Sequence, residues 1–211
     1  YYELSKHLTA GKNVIAVRVD NSMQPNTRWY TGSGIYRHVW LVKTNPVHFS
    51  MWGIYVTTPF VSADSATIVV QSKIESNSNS TKELVLRATI IDKNGKAISV
   101  SETPFKVESG KQIEVGTKIK IANPKLWSIE SPNLYKLQTS IVEKKNTIDD
   151  VVTTFGVRTI NYDVDKGFFL NGKHVKMNGV CIHHDGGCVG AAVPEKVLER
   201  RLKILKEMGC N

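Results

Sequence analysis

Short apolar stretches that alternate with polar residues dominate the middle of the chain, between residues 47 and 159. Successive side chains of a strand point to opposite faces, so this period of two predicts half-buried strands, whereas a helical period is absent. Turn residues separate the stretches, most clearly Asn94-Gly95, a pair that readily adopts the positive φ angles of a tight hairpin. Seven strands are predicted, near residues 47–57, 66–75, 83–92, 96–107, 111–121, 133–143 and 150–160.

Seven short strands in about 110 residues are typical of an immunoglobulin-like β-sandwich. The three cysteines, Cys181, Cys188 and Cys210, all follow this region, so it cannot contain the inter-sheet disulfide of antibody domains. Its core is therefore expected to depend on apolar packing alone. A fold held together by disulfides is not expected.

The first 45 residues also alternate, because Ile15, Val17 and Val19 share one face of residues 12–20. Strands are predicted at 12–20 and 36–43, with a polar loop between them. Two strands alone would leave unpaired edges exposed. We therefore expect residues 1–45 to be the end of a larger β domain whose beginning lies outside this sequence.

The pattern changes after residue 161. A hairpin is predicted at 168–175, turning at Asn171-Gly172, and a further strand at 175–182. A helix is predicted from Pro194 to Gly209, with an apolar face formed by Leu198, Leu202, Leu205 and Met208. Strand, loop and helix in this order are the start of a β/α repeat, and a complete (β/α)8 barrel needs roughly 250 residues.

The composition narrows the function classes. The chain has 211 residues, 41% hydrophobic content and a formal net charge of +9. Its basic residues are scattered instead of forming one basic stripe, so a nucleic-acid partner is not expected. No apolar stretch approaches the roughly 20 residues that span a bilayer, so no membrane partner is expected either.

Four segments, at 28–41, 124–135, 155–160 and 168–185, resemble family 2 glycoside hydrolases of the β-galactosidase type, in the same order along the chain. The resemblance implies a mainly β fold with three parts. Residues 1–45 would be the C-terminal part of a sugar-binding jelly-roll domain, 46–160 the immunoglobulin-like sandwich, and 161–211 the first β/α unit of a catalytic TIM barrel. The chain is thus expected to be an internal piece of a longer enzyme.

The last of these segments contains His183, His184 and Asp185, similar to the family's Gly-Val-Asn-x-His-His-Asp, although Cys181 replaces the usual Asn. The resemblance places them at the C-terminal end of the first barrel strand, where barrel active sites assemble. It implies that His183 hydrogen-bonds sugar hydroxyls and that Asp185 binds sugar or orients its neighbours. Two alternatives remain open, a structural role for the histidines and a zinc site with the cysteines, which the spacing disfavours.

A second group of candidate sugar-binding residues, Asn26, Arg28 and Trp29, precedes the predicted strand at 36–43. The resemblance implies that this loop approaches the barrel mouth. An indole ring can cover the apolar face of a sugar, and a guanidinium can donate to its hydroxyls. A packed inter-domain contact is the alternative interpretation.

Retaining glycoside hydrolysis requires two carboxylates, one as general acid/base and one as nucleophile. We find no candidate pair, since Glu195, Glu199 and Glu207 fall on the predicted helix and Glu130 in a sandwich loop. The resemblance implies catalytic glutamates on later barrel strands, so no catalytic residue is assigned here. The longer enzyme of which this chain would be a piece, called the parent below, is expected to hydrolyse terminal β-galactosides. The alternatives are a β-glucuronidase, a β-mannosidase, or a non-catalytic carbohydrate-binding or spacer module.

The same resemblance implies a carbohydrate partner and a bacterial parent that is secreted or periplasmic. No cofactor and no metal site are expected in this chain. A divalent or sodium ion and homo-oligomerisation are left open for the parent.

Overall fold

A computed structural model describes residues 2–23, 34–183 and 185–211. The chain divides into two compact units. One comprises residues 41–178 with residue 211, and the other comprises residues 1–40 and 179–210. No helix in the described ranges is long and apolar enough to cross a membrane.

Seven long strands occupy the first part of the larger unit: β1 (Val47–Val61), β2 (Ser65–Ser76), β3 (Lys82–Ile91), β4 (Ala97–Val107), β5 (Gln112–Ala122), β6 (Tyr135–Glu143) and β7 (Asn146–Phe155). They form two antiparallel sheets, one with the order β1-β2-β5 and one with the order β4-β3-β6-β7. The predicted immunoglobulin-like sandwich is confirmed. The hairpin predicted at Asn94-Gly95 joins β3 and β4, with Gly95 at φ 81°.

The last sandwich strand begins earlier than predicted. We expected a strand at 150–160, whereas β7 spans Asn146–Phe155. The turn before it consists of Lys144 and Lys145, both in the left-handed region at φ 48° and 76°. Lysine is not a residue that signals such a turn, because a side chain strains this conformation, so the pattern concealed the hairpin.

The core between the sheets consists of two apolar clusters separated by a polar layer. Ser72 in β2, Thr117 in β5 and Thr139 in β6 are buried, and each lies between a residue of one cluster and a residue of the other. Apolar neighbours that are fully buried include Ile68, Val70, Leu86, Ile90, Leu137 and Ile141. Burying this many aliphatic side chains at roughly 1.5–3 kcal/mol each is the main force that holds the sheets together.

The polar layer is only partly hydrogen-bonded. The Thr103 hydroxyl donates to Thr117 Oγ1 over 3.0 Å, which links β4 of one sheet to β5 of the other. The Thr139 hydroxyl donates to the carbonyl of Val151 over 3.1 Å. The hydroxyl of Ser72 is buried and has no hydrogen-bond partner among the described residues.

A small three-stranded sheet follows the sandwich: β8 (Ile160–Asp163), β9 (Gly167–Leu170) and β10 (Lys173–His174). Asn171 and Gly172 form the turn between β9 and β10 at φ 50° and 76°, as the hairpin prediction required. The predicted strand at 175–182 is wrong as a regular strand, because no strand is assigned between residues 175 and 183. Residue 211 nevertheless bonds to this segment: its amide donates to the carbonyl of Asn178 over 3.1 Å and its side chain donates to the carbonyl of Lys176 over 2.9 Å.

The smaller unit contains the predicted helix, α1 (Glu195–Glu207), preceded by Pro194. Two further predictions are wrong: residues 12–20 and 36–43 contain no strand. A strand is stabilised by the hydrogen bonds of a neighbouring strand, and neither segment pairs with one in the described part of the chain. The expected division at residues 45 and 160 stays a prediction.

Candidate functional site

The segment around His183 and Asp185 leads from an irregular stretch into a short 3-10 turn, Gly187–Val189, and then into α1. His183 is exposed and Asp185 is half-buried. The predicted neighbour His184 lies outside the described residues. Asn26, Arg28 and Trp29 also lie outside them, so the structure does not bear on whether these residues come together.

Asp185 forms two hydrogen bonds, one to α1 and one to the 3-10 turn that precedes it. Its backbone carbonyl accepts from the guanidinium of Arg201 over 2.5 Å. Its carboxylate accepts a long bond of 3.4 Å from the amide of Gly187, at the start of the 3-10 turn. The first bond is the stronger, because it is short and the donor is charged. A role for Arg201 was not foreseen, since only the folded helix brings it to the loop.

The carboxylates of α1 are committed to local ion pairs or to solvent. Glu199 accepts from Lys196 over 2.7 Å and from Lys203 over 2.8 Å. These two hydrogen bonds hold the pKa of Glu199 below its usual range, so the group stays ionised at neutral pH. A general acid for glycoside hydrolysis requires a raised pKa, which is the opposite shift.

Among the residues that the structure describes, the cysteines do not form a metal cluster with their neighbours. Cys181 and Cys188 are exposed, Cys210 is half-buried, and all three are free thiols. Within the described ranges, no three residues drawn from His, Cys, Asp and Glu approach one another closely enough to hold a metal ion. The zinc alternative therefore has no geometric support in that part of the chain.

A tight joint at one end of the sandwich was missed by the sequence analysis. The Arg158 guanidinium lies 4.9 Å from the centre of the Trp127 ring, and Gly156 packs so closely that an added Cβ would come within 2.8 Å of Trp127 Cβ. Trp127 is half-buried, whereas Tyr135 is a buried core residue. The Tyr135 hydroxyl accepts from the amide of Lys125 over 2.8 Å.

Asn171 fastens the β9–β10 hairpin to this joint. Its side-chain oxygen accepts from the amide of Thr159 over 3.0 Å, and its side-chain nitrogen donates to the carbonyl of Trp127 over 2.9 Å. Its own amide donates to the carbonyl of Thr159 over 3.0 Å. The Asn-Gly turn was visible in the sequence, but the partner 44 residues away was not. These contacts hold the hairpin and the sandwich end together, so we assign the joint a structural role and not a role in sugar binding.

Comparison with known proteins adds the family. The sequence profile described as Glycosyl hydrolases family 2 matches residues 47–158. Beta-galactosidase BoGH2A of Bacteroides ovatus is 42% identical over 211 residues, which is all of this chain and 25% of that protein. A putative beta-glucuronidase of Formosa agariphila is also 42% identical over 211 residues, again all of this chain and 20% of that protein.

Solved structures agree. A family 2 glycosyl hydrolase from Bacteroides cellulosilyticus superposes with a TM-score of 0.86 at 40% identity, covering 92% of this chain and 26% of that one. A Bacteroides uniformis beta-glucuronidase superposes with a TM-score of 0.81 at 30% identity, covering 92% of this chain and 24% of that one. The chain spans about a quarter of the length of these relatives. With a profile that matches more than half of its residues, the chain belongs to family 2 of the glycosyl hydrolases.

Proposed function

We propose that the chain is part of a retaining glycoside hydrolase that acts on terminal β-D-galactosides. The observation that carries the proposal is the 42% identity, over the whole chain, to a protein named a β-galactosidase. A β-glucuronidase is the second candidate, because a relative of equal identity bears that name.

Double displacement requires a proton donor and a nucleophile about 5–5.5 Å apart, on either side of the anomeric carbon. In α1, Glu199 is held ionised by two lysines. We therefore place both catalytic glutamates in the parent enzyme beyond these 211 residues and expect the isolated chain to be inactive. Incubation with a chromogenic aryl β-galactoside tests this, and turnover that survives repurification and scales with chain concentration would contradict it.

The residues of this chain would contribute sugar binding. In the proposal, the exposed imidazole of His183 donates to a sugar hydroxyl. Asp185 keeps the loop in place, because Arg201 holds its carbonyl and the Gly187 amide approaches its carboxylate. A loop fixed before the substrate arrives lowers the entropy cost of aligning the sugar. In the proposal the parent is secreted or periplasmic, with a carbohydrate as its partner.

Specificity is tested on the full-length parent with nitrophenyl β-D-galactoside, β-D-glucuronide and β-D-mannoside at equal enzyme concentration. The galactoside should have the highest kcat/KM. A higher value for the glucuronide or the mannoside would establish that activity instead. Hydrolysis of none of the three would favour a non-catalytic carbohydrate-binding or spacer module.

The role of His183 is tested by His183→Ala in the same enzyme. Loss of a hydrogen bond that tightens in the transition state should reduce transition-state stabilisation by roughly 1.5–3 kcal/mol. His174→Ala is the matched control, because its ring packs on Phe169 with centroids 5.6 Å apart, inside the small sheet. If His183→Ala lowers thermal stability and leaves specific activity unchanged, the histidine is structural.

A further inference from the structure

The outer face of the three-stranded sheet has features that the sandwich core does not require. The register aligns Tyr55, Gln71 and Gly116 in one row across β1, β2 and β5. Their neighbours along β2 and β5 point inward and are buried, so this row faces outward. Tyr55 is 63% exposed and Phe60, further along β1 on the same face, is 73% exposed. Two aromatic rings therefore stand along one strand with most of their surface in water.

Polar groups suited to hydroxyls and carboxylates surround the two rings. Gln71 pairs directly with Tyr55 and is exposed, and an added Cβ on Gly116 would meet nothing within 4 Å. Lys118 and Lys120 line the far strand, and neither forms an ion pair with another residue in the part of the chain that is described. The result is a shallow shelf with aromatic rings on one side and ammonium groups on the other.

A third exposed aromatic residue on β1, Trp52, is held under backbone strain. Trp52 has φ 59° and is 92% exposed, at the irregularity between Phe49 and Ile54. The left-handed region is strained for a bulky residue, because its Cβ comes too close to the backbone carbonyl. The next residue, Gly53, allows the bulge, because an added Cβ would lie 2.7 Å from the carbonyl oxygen of Ser50. Burial of the indole does not offset this strain, which is the situation in which a functional role is expected.

We propose that this surface, formed by Tyr55, Phe60, Gln71, Gly116, Lys118 and Lys120 with Trp52 on the same strand, binds an oligosaccharide. Aromatic rings cover the apolar faces of pyranose rings, and rigid rings do so at low entropy cost. The amide and the ammonium groups would bind hydroxyls, and the lysines favour a chain that carries carboxylates. This goes beyond the proposed function, because binding here needs no turnover and no catalytic glutamate.

The test is calorimetric titration of the 211-residue chain with β-1,4-galactotetraose and with tetragalacturonate at low salt. We expect both to bind, the acidic chain more tightly, and the preference to shrink as salt is added. Tyr55→Ala should weaken binding about tenfold. Tyr162→Ala, which removes a 72% exposed ring from β8, is the matched control and should leave affinity unchanged.

Trp52→Gly separates binding from folding. Glycine adopts the left-handed conformation without strain, so this variant should be at least as stable as the parent chain and should bind more weakly. Absence of binding to both sugars would overturn the proposal. So would an affinity that stays equal to that of the unsubstituted chain in both Tyr55→Ala and Trp52→Gly. Loss of binding in the full-length enzyme would also overturn it, because the surface would then be an inter-domain contact.

Discussion

Two segments of this chain share one sequence pattern and differ in structure. Residues 12–20 and strand β2 both alternate apolar with polar side chains. Ile68, Val70 and Ile74 of β2 are fully buried, whereas Val17 is 61% exposed and Val19 is 50% exposed. The difference is that β2 is hydrogen-bonded on both sides, to β1 and β5, and faces a second sheet. Alternation provides an apolar face, and only neighbouring strands and an opposing sheet bury it.

The same contrast extends to α1, in which no residue is buried. The largest expected difference between the sandwich and α1 is in the protection of their backbone amides from hydrogen exchange. Amides of β3, in the centre of its sheet, should require an opening free energy at least about 3 kcal/mol above that of amides in α1. Native-state exchange of the 211-residue chain measures both at once. Equal protection in a dilute monomer would show that α1 is as stable as the sandwich.

A substitution pair sharpens the comparison. Leu137 is fully buried in β6, so Leu137→Ala should lower the free energy of unfolding by about 2–5 kcal/mol. Val17→Ala removes apolar atoms from the exposed segment and should change it by less than about 0.5 kcal/mol. Urea denaturation followed by circular dichroism measures the two variants side by side. A large effect at Val17 would mean that residues 12–20 are packed in solution.

The polar layer inside the sandwich gives a smaller effect. Thr139→Val removes a buried hydroxyl that donates to the Val151 carbonyl, so it should cost about 1–2 kcal/mol. Ser72→Ala removes a buried hydroxyl without a partner in the described residues and should cost less than about 0.5 kcal/mol. The same urea experiment measures both. If Ser72→Ala costs as much as Thr139→Val, the Ser72 hydroxyl is hydrogen-bonded in solution.

The smallest effect concerns pH. Hydrogen bonds to its carboxylate, first from the amide of Lys96 and then from that of Asn94, hold the pKa of Asp92 below its usual range. The folded pKa is lower than the unfolded one, so this stabilisation is present above about pH 4 and is lost as pH falls through the folded value. NMR titration of the Asp92 carboxyl carbon tests the direction. A midpoint at or above the ordinary aspartate value would contradict it.

Local patterns predicted most of the fold. The seven strands, the Asn94-Gly95 and Asn171-Gly172 turns and α1 all depend on side-chain period or on residues that tolerate positive φ, and both properties are visible in a short window. The turn at Lys144 and Lys145 was missed, because its residues do not favour the conformation that they adopt. The predictions of strands at 12–20 and 36–43 were wrong, because a short window of sequence does not show whether a neighbouring strand is present to pair with them.

The candidate site was less predictable. His183 and Asp185 were chosen through resemblance, and their function remains a proposal. The sequence did not predict three sets of contacts: the hydrogen bond from Arg201 to the Asp185 carbonyl, the bonds of Asn171 to Thr159 and Trp127, and the cation–π contact of Arg158 with Trp127. Each joins residues that are distant in sequence, and no local pattern identifies the partner.

The sequence by itself therefore determined which segments can form strands, which can form a helix and where the chain can turn, because these depend on the chemistry of neighbouring residues. It also determined the family, through motifs that survive in order. The tertiary structure decided which apolar faces are buried and where a polar layer crosses the core. It also decided that Trp52 lies exposed on a bulge of β1. These outcomes depend on how distant strands pack against one another, and the free energy of a contact exists only once both partners are in place.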